Sequence, residues 1–483
     1  MLTLVSYYTV QNNHRVMTNN MDNTLYQQAR LSRDARFDGK FFIAVKTTGI
    51  FCRSICPAPT PKECNVEYFT TSIAAVNHGY RPCLRCRPDS APDSFAWKGK
   101  NTTFERALTL INTELPSSQT ISQLAERLGI STRYLNRLFQ ESLGTSAKNF
   151  TQHQQLMFAK SLLQQTSMSV TEIAFASGFN SLRRFNDCFQ TKLKLTPSSL
   201  RKNKTVSNND ITLFLSYRPP YAWPQLRDFL KRRAITPIEW VTDHSYGRSF
   251  SWPCRLQENK CNGQNIYGQF TATHNETQNG FNVNINLSDI NYLMPVVRNI
   301  RRILDLDADI ASIEQHLSTL NGFNNKACVG LRLPGTWDLF EAGVRAILGQ
   351  QISVAGALKL VVTLVEHYGS KQGDLALFPT PQNIINSNLS VLKMPVSRRE
   401  TLMNLAKFMA KKPQASPSEW LSLKGIGPWT IDYAKMRGLS DPNIWLGGDL
   451  GIKNALTQHD IKLTPENAVP WQSYLTFQVW NLL

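Results

Sequence analysis

Cys52 and Cys56 are separated by three residues, Cys83 and Cys86 by two, and 26 residues lie between the pairs. Two short cysteine pairs bracketing a compact segment put four thiolates where one tetrahedral metal ion holds them. Zinc is the expected ion, one per chain. Structural disulfides are the alternative, and a basic chain without a secretory signal argues against them. The spacing by itself does not separate a reactive zinc cysteine from a structural one, and closed four-cysteine sites are more often structural. Cys64 lies inside the same segment, but the two pairs already supply four ligands. Cys188, Cys254, Cys261 and Cys328 have no metal spacing and read as free thiols.

A second stretch, LSLKGIGPWTIDYAKMRGL at 421–439, carries a different chemistry. Helix, then Lys424-Gly425-Ile426-Gly427, then helix reads as a helix-hairpin-helix. Its glycines let the backbone turn tightly and offer amide N–H groups to a phosphate. A lone Gly-x-Gly is a weak signal, but Asp449 follows on a Gly-Gly-Asp step that opens a new helix. Asp432 and Asp441 compete with it as functional carboxylates. The first sits inside the hairpin's second helix and the second in an exposed turn, so both read as structural. Trp429 and Tyr433 lie four apart, hence on one helix face. Core packing is the usual role of such a pair.

The elements that must position these groups imply several domains, since 483 residues exceed one ordinary domain. Three or four are expected, and a 42% hydrophobic fraction supports real cores. The net charge of +18 points to a polyanionic partner such as nucleic acid. Residues 1–210 carry 26 Lys+Arg against 14 Asp+Glu, so the front of the chain is the more basic part. No apolar run reaches the length of a membrane span. Residues 1–20 lack the basic-then-apolar order of a signal peptide and read as a disordered tail or a misplaced start. The expected setting is cytoplasmic.

Residues 21–95 form a small α/β zinc domain in this reading, and the Pro/Ser/Gly-bearing stretch 91–102 is a linker. From 103 to 202 the apolar period is helical. ISQLAERLGISTRYLNRLFQ places Leu124, Ala125 and Leu128 on one face, breaks at Gly129 and restarts at Ser131. A second copy runs VTEIAFASGFNSLRRF, with Gly178 at the break and Ser181 at the restart. Two helix-turn-helix units joined by a helix are a specific signal. Arg133 and Arg137 on the first second-helix, and Arg183 and Arg184 on the other, are candidate DNA contacts. The polar, basic stretch 201–210 reads as another linker. An α+β unit with an antiparallel sheet is expected at 211–290 and an all-α part at 291–483.

The segment RDARFDGKFFIAVKTTGIFCRSICPA with GYRPCLRCRPD closely resembles the amino-terminal domain of Ada-type adaptive-response proteins. That resemblance implies zinc on Cys52, Cys56, Cys83 and Cys86, with Cys52 also the acceptor of a methyl group from a methylated DNA phosphate. A zinc-bound sulfur is already a thiolate, the nucleophilic form. The double helix-turn-helix ending in TPSSLR resembles the AraC-type DNA-binding domain. The methyltransferase half of Ada is absent, because no Pro-Cys-His occurs. RPPYAW, SYGRSF, LPG…RAILGQQIS, the hairpin with its downstream aspartate, and PWQSYLTFQVW resemble AlkA-type 3-methyladenine DNA glycosylases over 211–483.

The AlkA-type resemblance implies Asp449 as catalytic carboxylate and Trp429, Tyr433 and Trp480 as walls of the base pocket. Lys424, Gly425, Ile426 and Gly427 match the phosphate hairpin. Gln351 matches the wedge that fills the gap left by a flipped base, where the bacterial type member has leucine. An alkylated purine is cationic and leaves readily, so its excision needs mainly an anion beside the developing oxocarbenium sugar and a positioned water. Electron-rich aromatic faces hold such a base well. Trp429 stands where bifunctional relatives carry a Schiff-base lysine, so a monofunctional glycosylase is expected. No cysteine cluster follows the hairpin, so no iron–sulfur cluster is expected.

Two functions therefore sit on one chain: excision of alkylated purines and methylation-responsive transcription regulation. The alternatives are a pure regulator with an inactive glycosylase part, or a glycosylase with a non-regulatory DNA-binding arm. Double-stranded DNA, both alkylated and promoter, is the expected partner. RNA polymerase is a further candidate partner, and a nucleoid-associated monomer the expected state.

Overall fold

Short apolar runs separated by turns build the first of two compact units into which a computed structural model divides the chain, Met1–Pro88 and Asp89–Leu483. Residues 20–33, 37, 41–86, 88, 102–113, 120–201, 211–253, 265–320, 327–413 and 415–483 are described. The tail read at 1–20 and the linkers read at 91–102 and 201–210 lie outside them apart from Asn20, Thr102 and Arg201, as do Cys254 and Cys261. No described helix is long and apolar enough to cross a membrane.

The first unit runs α1 (Asn20–Leu31), β1 (Phe42–Val45), β2 (Ile50–Arg53), β3 (Val66–Phe69), α2 (Ser72–Asn77) and β4 (Arg81–Pro82). Its sheet order is β3-β1-β2-β4. Thr71 caps α2 by accepting the Ala74 N–H, and Phe41, Ile43 and Ala29 lie in the small core. Buried Arg30 ties α1 to the segment between the cysteine pairs. It donates to Tyr68 Oη (3.1 Å) and the Pro61 carbonyl (2.9 Å), and pairs with Glu63.

The second unit opens with α3 (Thr102–Thr113), α4 (Ile121–Arg127), α5 (Thr132–Leu143), α6 (Ala147–Gln165), α7 (Val170–Ala176), α8 (Leu182–Leu193) and α9 (Pro197–Leu200). Its repeat is written in the caps. Thr120 with Gln123 and Ser169 with Glu172 form capping boxes at the starts of α4 and α7. Ser131 and Ser181 cap α5 and α8 by accepting the Tyr134 and Arg184 N–H groups. Between the helices of each pair the chain turns at Gly129 (φ 69°) and Gly178 (φ 79°).

Next come β5 (Ile211–Ser216), α10 (Trp223–Lys231), β6 (Glu239–Val241), β7 (Ser245–Trp252), β8 (Ile266–Asn275) and β9 (Gly280–Leu287). They make a five-stranded sheet, order β5-β9-β8-β7-β6, with every neighbouring pair antiparallel. Then follow α11 (Leu293–Ile303), α12 (Ile310–Leu317), α13 (Leu339–Leu348), α14 (Val354–Tyr368), β10 (Ser370–Gln372), β11 (Leu375–Leu377), α15 (Pro381–Ile385), α16 (Val396–Lys411), α17 (Pro428–Gly438), α18 (Leu450–Gln458) and α19 (Gln472–Trp480). The region expected to be all helical thus contains the β10–β11 hairpin, where Gly369 and Gly373 bound a run too short for a helix. The segment before the Gly-x-Gly turn is also not an α-helix. It is a six-residue 3-10 turn, Pro417–Ser422, in which Pro417 supplies no N–H and Ser416 caps.

Two regions separated by a linker in sequence share one core. A single apolar cluster runs from Leu156, Leu163, Ile173, Phe185 and Phe189 of the helix-turn-helix region through Leu213, Phe270 and Val283 of the sheet to Val296 and Ile300 of α11. β5 is a sheet edge, and its Phe214 N–H donates to Gln165 Oε1 at 2.6 Å, which covers a group an open edge would expose. Arg298 of α11 donates to the Ile111 carbonyl of α3 (3.0 Å). Nothing local in the sequence marks which of these faces meet.

Shared packing makes a prediction. Nine of the ten tryptophans lie at Trp223 or beyond, so tryptophan fluorescence reports the sheet and the helices after it. Phe185→Ala, deep in the helix-turn-helix part, removes a fully buried ring from the common cluster and should cost about 3–5 kcal/mol. The tryptophan-monitored unfolding midpoint should fall with it. A midpoint equal to wild type would mean the two parts unfold independently.

Candidate functional site

The cysteine pairs meet because β2 and β4 are parallel neighbours, with Ile50 opposite Arg81 and Phe51 opposite Pro82. Cys52 sits on β2 and Cys56 in the turn after it, where its N–H reaches the Arg53 carbonyl (3.2 Å). Cys83 follows β4 directly, its N–H donating to the Phe51 carbonyl (2.9 Å), and Cys86 lies in the next turn. The four sulfurs all lie within 4.8 Å of one another. Ideal tetrahedral zinc–sulfur bonds of ~2.3 Å would bring them to about 3.8 Å apart, a small contraction.

As bare thiols the four cannot ionise together. Cys52 is pushed up, first by its hydrogen bond to Cys56, while Cys83 is held down, first by Cys52. Cys56 falls to about 7, again chiefly through Cys52. A soft dication at the centre removes that contest, so the donor set fits zinc. Backbone N–H groups of Ala58, Cys86 and Arg53 favour the thiolates of Cys56, Cys83 and Cys86 respectively. The Arg53 N–H lies 3.4 Å from Cys86 Sγ. Cys52 and Cys56 are half-buried and Cys83 and Cys86 buried, so the first pair faces outward more than the second.

The other constellation gathers at the ends of α17, α18 and α19. Asp449 is the N-cap of α18, and its Oδ1 accepts the Ile452 N–H (3.2 Å) and the Trp480 indole N–H (3.0 Å). Trp480 comes from α19, the last helix, so the closing segment of the chain holds the carboxylate. Trp429 and Tyr433 stack on α17, centroids 5.3 Å apart at 28°. Trp429, Tyr433 and Trp480 all pack, half-buried, against one apolar cluster that includes Phe229, Ile452 and Phe477. Asp441 accepts the Asn443 N–H in its turn (2.9 Å), and burial raises the Asp432 carboxyl.

Several residues of this region carry no sequence signal. Phe229 of α10 stacks on Trp480 (6.5 Å, 21°) and lies under two guanidiniums, Arg233 at 3.9 Å and Arg437 at 4.8 Å. Burial, first among its causes, lowers Arg233 to about 10 and lowers Arg437 as well. Arg437 follows Tyr433 by one helical turn and lies 3.3 Å from its hydroxyl, which helical spacing could have flagged. Phe229 and Arg233 are some two hundred residues upstream and could not be read.

Gly425 (φ 88°) and Gly427 form the hairpin between the 3-10 turn and α17, with Ile426 buried and Lys424 on its rim. Gln351 lies in the α13–α14 turn, exposed, at φ 57°. A non-glycine residue seldom holds that conformation, so the tip is shaped by its surroundings. Arg133, Arg137, Arg183 and Arg184 are all exposed on α5 and α8. Arg137 pairs with Glu141 at 3.8 Å on its own helix, a surface contact that a phosphate could replace at small cost.

Three family models match the chain: the metal binding domain of Ada at 26–89, a helix-turn-helix domain at 124–203 and the AlkA N-terminal domain at 212–338. A probable bifunctional transcriptional activator/DNA repair enzyme AlkA of Mycobacterium tuberculosis is 32% identical over 94% of this chain and 95% of its own length. The DNA-3-methyladenine glycosylase 2 of Escherichia coli is 31% identical, covering 55% of this chain and 95% of itself. The bifunctional transcriptional activator/DNA repair enzyme AdaA of Bacillus subtilis is 31% identical over 36% of this chain and 81% of itself.

The metal site is directly testable. Elemental analysis of the purified chain should find one zinc. Cys83→Ser should lose tight binding, since three thiolates and a poor alcohol ligand remain, while Cys64→Ser should keep it. The reverse pattern would move a ligand from Cys83 to Cys64.

Proposed function

Because the chain belongs to the family of bifunctional transcriptional activator/DNA repair enzymes that join Ada-type and AlkA-type parts, we propose that it excises alkylated purines such as 3-methyladenine from DNA and regulates transcription in response to methylated DNA phosphates. The observation that carries the excision reading is the Asp449 carboxylate. It is held by Trp480 and the first turn of α18, and Trp480 packs against the same apolar cluster as the stacked Trp429–Tyr433 pair.

The glycosylase mechanism follows from those groups. The hairpin backbone at Lys424–Gly427 grips a phosphate, Gln351 enters the space the base leaves, and the base rests on the aromatic faces. The bond between C1′ and the base nitrogen breaks, and the electron pair leaves with the cationic base, which becomes neutral. Asp449 stabilises the positive sugar and accepts a proton from the water that adds to C1′. Trp429 occupies the place of a Schiff-base lysine, so no strand cleavage accompanies excision.

In the first unit, Cys52 takes the methyl group. A sulfur–carbon bond forms, the methyl–oxygen bond of the phosphotriester breaks, and a phosphodiester anion leaves. Bound zinc supplies the thiolate character that makes this sulfur nucleophilic at neutral pH. Methylation takes one negative charge out of the cluster, and Coulomb repulsion toward a phosphate falls by about 1 kcal/mol at ~4 Å in water. Promoter DNA is then held more tightly, with Arg133, Arg137, Arg183 and Arg184 on the duplex and RNA polymerase as the downstream partner. A monomer associated with the nucleoid completes the reading.

The test of Asp449 is Asp449→Asn, which keeps size and hydrogen-bonding capacity but removes the charge. Single-turnover release of 3-methyladenine should fall by at least ~10²-fold, the scale of one lost electrostatic contact in the transition state. DNA binding should hold or tighten. Near-wild-type release would move the role to another group, with Asp432 next. Mass spectrometry after incubation with methylated DNA should place a single methyl group on the peptide containing Cys52, and a label elsewhere would end the sensor reading.

A further inference from the structure

The hairpin is gripped from behind by two side chains to which the sequence assigned no role, Thr401 and Gln350. Thr401, buried on α16, places its hydroxyl oxygen 3.1 Å from the Lys424 carbonyl and 2.9 Å from the Ser397 carbonyl. Its contact with the hairpin is close enough that a Cβ on Gly425 would lie 2.1 Å from Thr401 Oγ1. From the opposite side in sequence, Gln350 donates through Nε2 to the Gly425 carbonyl (3.1 Å) and to Thr430 Oγ1 (3.1 Å) on α17. Gln350 immediately precedes Gln351, the exposed left-handed residue at the tip of the α13–α14 turn.

Peptide planarity turns these contacts into a statement about orientation. In a trans peptide the carbonyl of one residue and the N–H of the next point in opposite directions. Holding the Lys424 carbonyl against Thr401 therefore turns the Gly425 N–H away from the protein body. The Ile426 N–H instead closes the turn on the Leu423 carbonyl (3.2 Å), which leaves the Gly425 amide as the donor turned outward. A backbone site for an anion works only if its N–H groups are already turned, because reorienting them on binding costs affinity.

We propose that Thr401 and Gln350 are positioning residues: Thr401 aims the Gly425 amide at the phosphate, and Gln350 lashes the wedge turn to the same hairpin, so that phosphate grip and wedge insertion are one rigid movement. This rests on the glycosylase reading above and deepens it. Neither residue touches substrate. Thr401 acts through the Lys424–Gly425 peptide, and Gln350 acts through the backbone of Gln351.

The full chain tests it with four variants. Thr401→Val matches the shape and removes the hydroxyl, and Thr401→Ser restores it. Gln350→Ala releases the turn, and Gln350→Glu keeps the length but loses the donor. For Thr401→Val, Kd for abasic-site DNA should rise ~10-fold at every salt concentration with the salt slope unchanged, since an amide N–H releases no counterion, and Thr401→Ser should recover it. For both Gln350 variants that Kd should stay near the wild-type value. Single-turnover 3-methyladenine release should drop ~10–100-fold, the scale of a slight misplacement, with a matching loss of the 2-aminopurine signal for base flipping. Should Thr401→Val fail to fold, the half-exposed Gln350 pair still decides the coupling. Unchanged release and flipping in the Gln350 variants overturn the inference, as does a Thr401→Val protein whose melting temperature falls while its Kd for abasic-site DNA stays at the wild-type value. A wild-type chain that releases no 3-methyladenine sinks the glycosylase reading and this inference with it. A wild-type chain that does, with silent variants, sinks this inference alone.

Discussion

Four buried charges decide where α13 lies, and most of the second unit takes its position from that helix. Arg248 of β7 makes a two-pronged bond to Glu341 of α13 (3.2 and 2.7 Å). Arg345, one turn further along α13, reaches back to Glu239 of β6 at 2.7 Å. Burial alone would push the Glu239 carboxyl up, yet Arg345 and Arg248 hold it at about 2. Such a set is weak evidence for stability, because each ion gives up several kcal/mol of hydration. What it supplies is uniqueness: any rotation of α13 against the sheet leaves a charge buried without its partner. The pairing is fully present above ordinary carboxylate pKa values and is lost only as pH falls toward about 2.

From α13 the constraint passes to the chemistry by contact. Ala342 lies where a side chain on Gly438 of α17 would have to go, 2.9 Å from that position, so the two helices meet at backbone distance. Gly343 is equally tight against Leu405 of α16 and Trp420. The hairpin leads into α17, the turn that carries Gln351 ends α13, and Asp449 is held through α19. A change that loosened α13 would therefore move the hairpin and the Gln351 turn together. The first unit solves its own version of the problem with less material, since one short parallel strand pair brings both cysteine pairs to a common point.

Sharing a core between the helix-turn-helix helices and the sheet has a physical rationale. An edge strand with open N–H groups is a liability, and β5 is covered by Gln165 and by apolar helices from the same chain. The cost is independence: the helix-turn-helix helices and the sheet pack into one apolar cluster.

Local chemistry was legible in the sequence. Cysteine spacing marked the four sulfurs that gather, Ser131 and Ser181 marked helix starts, the Gly-Gly-Asp step marked the cap of α18, and the four-residue interval joined Trp429 to Tyr433. Each depends on neighbours within one turn or loop, where covalent geometry leaves few choices. Other features depended on which distant faces met. Arg248 and Glu341 are 93 residues apart, Gln350 and Gly425 are 75 apart, and Gln165 and Phe214 are 49 apart across a stretch read as a linker. A 3-10 turn replaced the expected first hairpin helix, and a β-hairpin appeared among helices. Composition and period determine what an element can be and which face is apolar. Only tertiary packing decides which buried donor meets which acceptor, because that choice rests on desolvation and on contacts no window of sequence contains.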